Sequence, residues 1–513
     1  MHRRDFIHGL GGLSLALAVP RLSAGPIRFE GNPFTLGVAS GYPLADGFVL
    51  WTRLAPEPLA PGGGLGPMVY PVSVEVAEDE KFRKIIRKDT VYASPVWGHA
   101  VHAEISGLLP NRWYWYRFHV GPATSPIGRT RTAPAMDQSL DRLRFAACAC
   151  QQYEQGFYAA YRHMVDDQLD LIVHLGDYIY ESSWGKDHVR KHEGPEPITL
   201  DDYRARYARY KLDPDLQAAH AHYPWILTWD DHEVENDYAA DRSENDDEPG
   251  WFLKRRAAAY QAYYEHLPLR QSMIPLGPDL RLHTRVGFGS LINIHLLDDR
   301  QYRSPQPCPK PGRAGSNRVE SCEDRLRPEL TLLGARQERW LEAGLADSPT
   351  RWNVLAQQTL MAQADAKAGP GIKIYTDGWD GYPLARRRLL DTLGRVKPAN
   401  PVVLSGDVHA FWVNDLRPDF DDPLSPIVAS EFVCGSITSQ SPAEEMIQTQ
   451  KNEGAHHVRF ATGLHRGYAR FEVSEKNCLA DLRVITDVKD PKSECRTLTS
   501  WAVEAGRSGV QQA

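Results

Sequence analysis

The sequence predicts a β-sandwich followed by a larger, layered α/β or α+β domain. Two observations carry this. Between about 34 and 134, short β-patterned runs recur with turn residues between them. Past Pro134 the pattern changes, and apolar strand-like runs alternate with helix-like stretches. At 513 residues the chain is long enough for two or three cores. The divisions expected are 1–24, 30–134, 140–475 and 476–513. Charged residues at 24% and hydrophobic ones at 42% fit a folded chain and not a disordered one.

The first 24 residues read as a targeting segment. Arg3 and Arg4 precede Asp5-Phe6-Ile7, then an apolar run Leu10–Val19, Pro20, and a small-residue cleavage site at Leu22-Ser23-Ala24. The arginine pair followed by Phe resembles a twin-arginine export signal, with an ordinary secretory signal as the alternative. It implies the twin-arginine export machinery as a partner and a periplasmic or secreted location. That route carries folded proteins, so a metal site could be filled before export. No later apolar run is long enough for a membrane span. A formal charge of -7 gives no broad basic surface, so duplex nucleic acid is not an expected partner.

The β-patterned runs are Thr35–Ser40, Gly47–Arg53, Tyr70–Ala77, Lys84–Tyr92, Val101–Ser106 and Trp113–Val120. Regular short strands of this kind suggest a sandwich. Leu108, Pro110 and Tyr114 resemble the tyrosine corner of fibronectin type III-like domains, in which the phenol bonds back to upstream backbone. A plain hairpin would also fit. Thr130–Asp141 reads as a linker.

The strand-like runs that follow are Leu143–Ala147, Leu171–Leu175, Trp225–Thr228, Ile292–Leu297, Trp352–Ala356 and Pro401–Leu404. Helices are expected at Gly156–Asp166, Leu200–Tyr210, Trp251–His266, Ala335–Ala346 and Leu384–Leu393. Continuous apolar strands between helices indicate a sheet covered on both faces. Asp241–Glu248 reads as a solvated loop, and Thr497–Val510 as weakly helical and able to lie over the site. Among seven cysteines, Cys308 with Cys322 and Cys478 with Cys495 bracket short segments and are candidate disulfides. The odd count leaves a thiol for another duty, and Cys150 is the candidate.

Functional groups in such sheets gather beyond the C-terminal ends of strands. Four segments put candidate ligands there. Phe145-Ala-Ala-Cys148-Ala-Cys150 ends a strand in two cysteines that share a face if the chain stays extended; alone they could be a structural thiol or a local disulfide. In Gly176-Asp177-Tyr-Ile-Tyr180, Asp177 leaves a strand end with Tyr180 three residues on; a helix cap and a packed ring would be the plain alternative. Asp230-Asp231-His232-Glu233, with Asn236 and Asp237 just beyond, is costly to bury without a cation, though a solvated loop is possible. Gly406-Asp407-Val-His409 places two polar groups on one side of an extended chain, or else is a turn Asp and a packed His.

Taken in order, these motifs resemble the calcineurin-like metallophosphoesterases, and Gly-Asp-x-x-Tyr narrows this to the purple acid phosphatase branch. Cys150-Gln-x-Tyr153, Gly176-Asp-Tyr-Ile-Tyr-Glu181, Trp229-Asp-Asp-His-Glu233 and Gly406-Asp-Val-His-Ala410 are similar to the alkaline phosphatase D (PhoD-like) family. The export signal and leading sandwich also fit, so the resemblance covers nearly the whole chain. It implies a four-layer metallophosphoesterase domain behind a fibronectin type III-like sandwich. It further implies Fe3+ bound by Cys150, Asp177, Tyr180 and His409, and one or two Ca2+ ions bound by Asp177, Asp231, Asn236 and Asp407. Which of Asp230, Asp231 and Asn236 bind stays open. An oxygen-only set suits calcium, and thiolate with phenolate and imidazole suits iron. Three departures from the broader superfamily argue against a zinc or manganese pair. Cys150 replaces its first Asp motif, Gln357 and Gln358 stand where a metal-binding His is usual, and Gly-Asp-x-His replaces Gly-His-x-His.

The chemistry expected is hydrolysis of phosphomonoesters or phosphodiesters, with a metal-activated hydroxide attacking phosphorus in line. His232 is the candidate proton donor to the leaving alkoxide, or else a group that bonds to the phosphate. Arg300 is the candidate phosphate clamp, or else a salt-bridged surface arginine. Two other classes compete. One is a phospholipase D-like or nuclease-like diesterase on the same scaffold. The other, disfavoured by the intact ligand set, is a non-enzymatic binding protein.

Overall fold

The strand Pro401–Ser405 divides its side chains between two cores, Val402 and Leu404 entering one and Val403 the other. Other strands of its sheet do the same: Val354 and Ala356 face away from Leu355, and Phe411 and Val413 away from Trp412. Strand side chains alternate with period two, so a sheet buried on both faces must feed two cores. A computed structural model describes residues 21–22, 27–367, 369–451 and 454–513.

Two mixed sheets pack face to face. The ten-stranded sheet is ordered Gln511–Gln512, Cys495–Glu504, Asn477–Ile485, Arg466–Ser474, Arg142–Cys148, Leu171–His174, Pro224–Leu227, Val38–Leu44, Gly47–Arg53, Ala100–Ile105. The seven-stranded sheet is ordered Thr284–Phe288, Ile292–Leu296, Trp352–Ala356, Pro401–Ser405, Ala429–Cys434, Phe411–Leu416, Val458–Thr462. Phe471 joins them, stacked on Phe145 at 4.9 Å and edge-on to Phe432 at 5.5 Å. The helices α1 (Ala159–Asp166), α2 (Leu200–Lys211), α3 (Pro214–His222) and α4 (Pro249–His266) lie on the side of the first sheet. α5 (Gly334–Ala346) and α6 (Pro383–Val396) cover the second. The order helix, sheet, sheet, helix is the layered α/β arrangement expected.

Local chemistry explains the helix starts. Thr199 and Asp202 form a reciprocal cap on α2, and the Asp213 carboxylate accepts from Asp215 and Leu216 at the start of α3. α3 was not among the expected helices, and neither was the short α7 (Glu444–Gln450).

Four expectations change. The sandwich is not self-contained. Met68–Ala77, Ile85–Ala93 and Trp113–Val120 form a six-stranded sheet of their own, with three shorter strands. The facing strands Val38–Leu44, Gly47–Arg53 and Ala100–Ile105 continue the ten-stranded sheet, through parallel pairing of Ser40 and Gly41 with Pro224 and Trp225. An open edge at Val38–Leu44 would leave backbone groups unpaired, and the Pro224–Leu227 edge satisfies them. Phe48, Leu50, Val74 and Tyr116 fill the space between the two sheets, and the Tyr114 hydroxyl meets the Leu109 backbone at 3.1 and 3.2 Å.

The C-terminal segment is not helical and does not cover the site. Cys495–Glu504 pairs antiparallel with Asn477–Ile485, its buried Trp501 and Val503 following strand periodicity. Cys308 and Cys322 are bonded, but Cys478 and Cys495 are free thiols. In their hairpin Cys478 faces Val503 and Cys495 faces Ile485, so they stand at opposite ends. Cys148 and Cys150 do not share a face: the strand ends at Cys148, and Cys150 turns with φ 59°. The export segment lies outside the described residues except for Arg21–Leu22, which pair with Met68–Val69. No helix among the described residues is long and apolar enough to cross a membrane.

Candidate metal centre

The parallel strands of both sheets end at one cleft. Arg142–Cys148, Leu171–His174 and Pro224–Leu227 deliver Cys150, Asp177 and Asp230-Asp231 from one side. Pro401–Ser405 delivers Asp407 and His409 from the other. The loops must press together, and glycine permits it. A Cβ on Gly176 would meet the Asp230 Cβ at 2.5 Å, and one on Gly406 would meet the Ala149 Cβ at 2.7 Å. Cys150, Asp177, Asp237, Asp407 and His409 all hold left-handed backbone, with φ between 54° and 64°. Such a cluster of costly conformations marks a site that the surrounding fold holds in place.

Glu233 ties two of the loops. Its carboxylate accepts from the backbone N–H of Tyr178 at 2.6 Å, Asp230 at 2.8 Å and Asp177 at 3.2 Å. It is therefore a brace between the loops. The Tyr180 hydroxyl donates to Asp177 Oδ2 at 2.8 Å, lies 3.0 Å from His409 Nε2 and accepts from Ser439 Oγ at 2.8 Å. Cys150, Asp177 and His409 offer ligand atoms within 4.8 Å of one another. Further groups of that span are Asp177, Asp231, His232; Asp230, Asp231, Asp407; and Asp231, Asp237, Asp377. Asp177 and Asp231 link these groups. Asn236 lines the same pocket, its backbone N–H donating to Glu181 Oε1 at 3.0 Å.

The donor set fits bound cations. Asp177 Oδ1 and Asp230 Oδ2 are buried with no hydrogen-bond partner among the described residues. Burial pushes the Cys150 thiol well up, reinforced by Asp177 and Asp407. Burial, with Asp177 beside it, does the same to the Tyr180 phenol. Asp230 and Asp407 are raised too, by burial that outweighs the attraction of Arg300. Thiolate, phenolate and this many carboxylates become stable together only with positive charge among them.

His232 lies on the pocket wall, its Nδ1 2.7 Å from Glu181 Oε2 and its ring 4.1 Å from that of Tyr180. Burial opposes its charge, but Glu181 and Asp231 overcome this and hold its pKa well above the usual histidine value. His409 Nδ1 is 3.0 Å from the Gln440 carbonyl, and Trp184 stacks on its ring.

Arg300 differs from the expectation. It is fully buried and absent from the pocket wall, its Nε on Asp230 and its other nitrogens 2.8 Å from Asp377 and 3.5 Å from Asp407. It lies among the carboxylates, where it balances their charge. Asp377, which also receives Arg303 and Gln306, went unnoticed in the sequence, because one Asp-Gly pair in a loop resembles any turn. Glu181 and Ser439 were missed as site residues as well. Glu181 was at least visible, next to Tyr180.

The pocket over these groups has a volume of about 680 Å3. Its wall also has an apolar part, with Leu360, Trp379, Trp412, Met446 and Ile447. α7 thus borders the site, and so does Glu244 of the loop expected to be solvated.

Residues 145–482 match the family model of the PhoD-like phosphatases, and residues 21–134 match that of the PhoD-like phosphatase N-terminal domain. The chain is similar to alkaline phosphatase D of Bacillus subtilis (strain 168), 45% identical over 528 aligned positions that span 99% of this chain and 89% of the relative. A solved structure titled "Structure of PhoD" superposes with a TM-score of 0.90 at 44% identity, covering 95% of this chain and 93% of that one.

Proposed function

We propose a reaction for this chain, which belongs to the PhoD-like phosphatase family and is a phosphoesterase of the alkaline phosphatase D type: metal-dependent hydrolysis of phosphate esters outside the cytoplasm. The observation that carries it is the position of Asp177. One carboxylate oxygen receives Tyr180, and the other is buried without a partner where two candidate ligand groups meet. In this reading Fe3+ is held by Cys150, Asp177, Tyr180 and His409, and one or two Ca2+ ions by Asp177, Asp231, Asn236 and Asp407. Such cations supply positive charge for the phosphoryl oxygens and make a nucleophile of water at moderate pH.

The chain's own groups do the rest. His232, kept protonated by Glu181, hands a proton to the leaving alkoxide. The Gln440 carbonyl takes the Nδ1 proton of His409, which leaves Nε2 free as a ligand. Arg300 and Glu233 hold the carboxylates and loops in register from behind. Trp184 shields the His409 ring from water.

One feature favours diesters over monoesters. The pocket of about 680 Å3, with its apolar wall, has room for a second ester arm as well as phosphate. Export by the twin-arginine route is part of the same reading, supported by Arg3-Arg4 and by the Cys308–Cys322 disulfide, which suits an oxidising compartment. The Tyr114 corner supports a fibronectin type III-like reading of the N-terminal domain.

Metal analysis and a visible spectrum of the purified mature protein test the metal assignment. Iron with calcium and a tyrosinate charge-transfer band are expected. A colourless protein carrying zinc or manganese would overturn it. Relative rates on bis(p-nitrophenyl) phosphate and p-nitrophenyl phosphate decide between diester and monoester.

A further inference from the structure

The pocket wall is crowded with acid, including Glu181, Glu235, Asp237 and Glu244 besides the candidate ligands. Among the described residues Arg318 is the sole lysine or arginine on it. The Arg318 side chain is exposed and has no carboxylate partner among the described residues; its guanidinium lies 5.1 Å from the ring centroid of Tyr375. An arginine beside so many carboxylates ordinarily pairs with one of them. This one is held apart.

The holding is elaborate. The Cys308–Cys322 disulfide closes the loop that carries Arg318. Arg318–Val319 pairs with Ile374–Tyr375 as a two-stranded sheet. Asn317 donates from its amide side chain to the Cys308 carbonyl at 3.2 Å and from its backbone to Thr376 Oγ1 at 2.9 Å. Ser316 bonds to Asp237. The Tyr375 hydroxyl is 3.3 Å from both Asp237 carboxylate oxygens, and the Asp237 N–H donates to Asp231 Oδ2 at 2.7 Å. Arg318 therefore stands one tyrosine ring out from the carboxylates of the metal centre, on a flap fixed to that centre. Tyr375 stands between it and those carboxylates, which leaves its guanidinium free for a group attached to the reacting phosphate.

We propose that Arg318 is a specificity-determining residue that binds a second anionic group of the substrate, and that the disulfide-tied flap 308–322 exists to hold it there. The preferred substrates are then phosphate esters bearing another phosphate a short spacer from the scissile one. The inference rests on the phosphoesterase reading of the site. Guanidinium suits the task because its planar fork binds phosphate through two nitrogens.

Nitrophenol release from thymidine 5′-(p-nitrophenyl phosphate), with and without a 3′-phosphate, tests it on the metal-loaded protein. The 3′-phosphate is expected to lower KM about tenfold, the effect of one charge-assisted pair. Arg318→Gln should abolish the difference by raising KM for the 3′-phosphorylated ester, with kcat little moved, and Arg318→Lys should recover part of it. The double variant Cys308→Ser/Cys322→Ser should also lose most of the difference. Equal KM values in the unaltered protein, or a preference that survives Arg318→Gln, would overturn the proposal. Calorimetric binding of thymidine 3′,5′-bisphosphate against thymidine 5′-monophosphate reads the same discrimination without turnover. Discrimination in binding with no hydrolysis of either ester would sink the hydrolytic reading and leave the role of Arg318 standing.

Discussion

Tyr180 and His409 meet at 3.0 Å across the cleft although 229 positions separate them in the chain. One comes from a loop of the ten-stranded sheet and the other from a loop of the seven-stranded sheet. The contact exists only because the two sheets pack with the C-terminal ends of their parallel strands at the same edge. Asp177, beneath both, completes the triangle at 2.8 Å from the Tyr180 hydroxyl and 3.9 Å from His409 Nε2.

Asp177→Asn removes the charge that the unpartnered Oδ1 brings to the junction of two ligand groups. Phosphoesterase activity is expected to fall by at least about 10²-fold. Bound iron should fall with it, while the far-UV circular dichroism stays unchanged. A variant that kept its iron and its rate would refute the bridging role.

Tyr180→Phe deletes one hydroxyl and keeps the buried ring. The expected result is a folded protein that loses its visible band, because the phenol is the chromophore in the iron assignment. A retained band would move the colour to Cys150 and take Tyr180 out of the ligand set.

Arg300→Met leaves Asp230 buried without the guanidinium that pairs with it, and Asp377 with Arg303 alone. A cost of about 3–5 kcal/mol in denaturant unfolding follows from breaking a buried pair on one side. Were Arg300 a phosphate clamp instead, the variant would unfold like the parent and only KM would rise.

Lys211, at the end of α2, has its ammonium group buried without a hydrogen-bond partner among the described residues, 4.1 Å from the Trp51 ring centroid. His220 and His266 are the titratable groups that feel its charge. Burial lowers the Lys211 pKa from 10.5 to about 7. Below about 7 the amine is charged in both states, and the folded state carries the whole cost of that. Between 7 and 10.5 the unfolded chain holds a proton that the folded one lacks, so stability rises with pH. The slope is at most on the order of 1.4 kcal/mol per pH unit. Lys211→Met should flatten this rise and raise Tm at neutral pH. Parallel Tm–pH curves for the two proteins would show that the amine keeps its ordinary pKa.

The denatured, unreduced protein should expose five thiols, Cys148, Cys150, Cys434, Cys478 and Cys495. A count of three would mean that Cys478 and Cys495 had paired after all.

Much of the site could be read from the chain alone. Three of the four candidate ligand segments carry a local signature, an apolar run of strand length that stops at a glycine or an acid. That signature needs no knowledge of neighbours. Gly176-Asp177, Asp230-Asp231 and Gly406-Asp407 were found this way, and all lie at strand ends in the fold. Asp377 was not found, because its importance lies entirely in its partners Arg300 and Arg303. For Arg300 the sequence leaves a phosphate clamp and a salt-bridged surface group both open, because it shows an arginine after a strand but not the depth at which that arginine ends.

By itself the sequence made legible many of the strands, most of the helices and the strand-end loops that carry the candidate ligands. Period-two and period-3.6 patterns and strand-end motifs are properties of short segments. Only the tertiary structure decided which edges pair, and so made one sheet of the N-terminal sandwich part of the catalytic layer. It alone separated Cys478 from Cys495 along their hairpin, turned the C-terminal residues into a strand, and placed Arg318 at the pocket wall. These outcomes depend on contacts between segments hundreds of residues apart, which are set by packing and by satisfying backbone hydrogen bonds, and no local pattern encodes them.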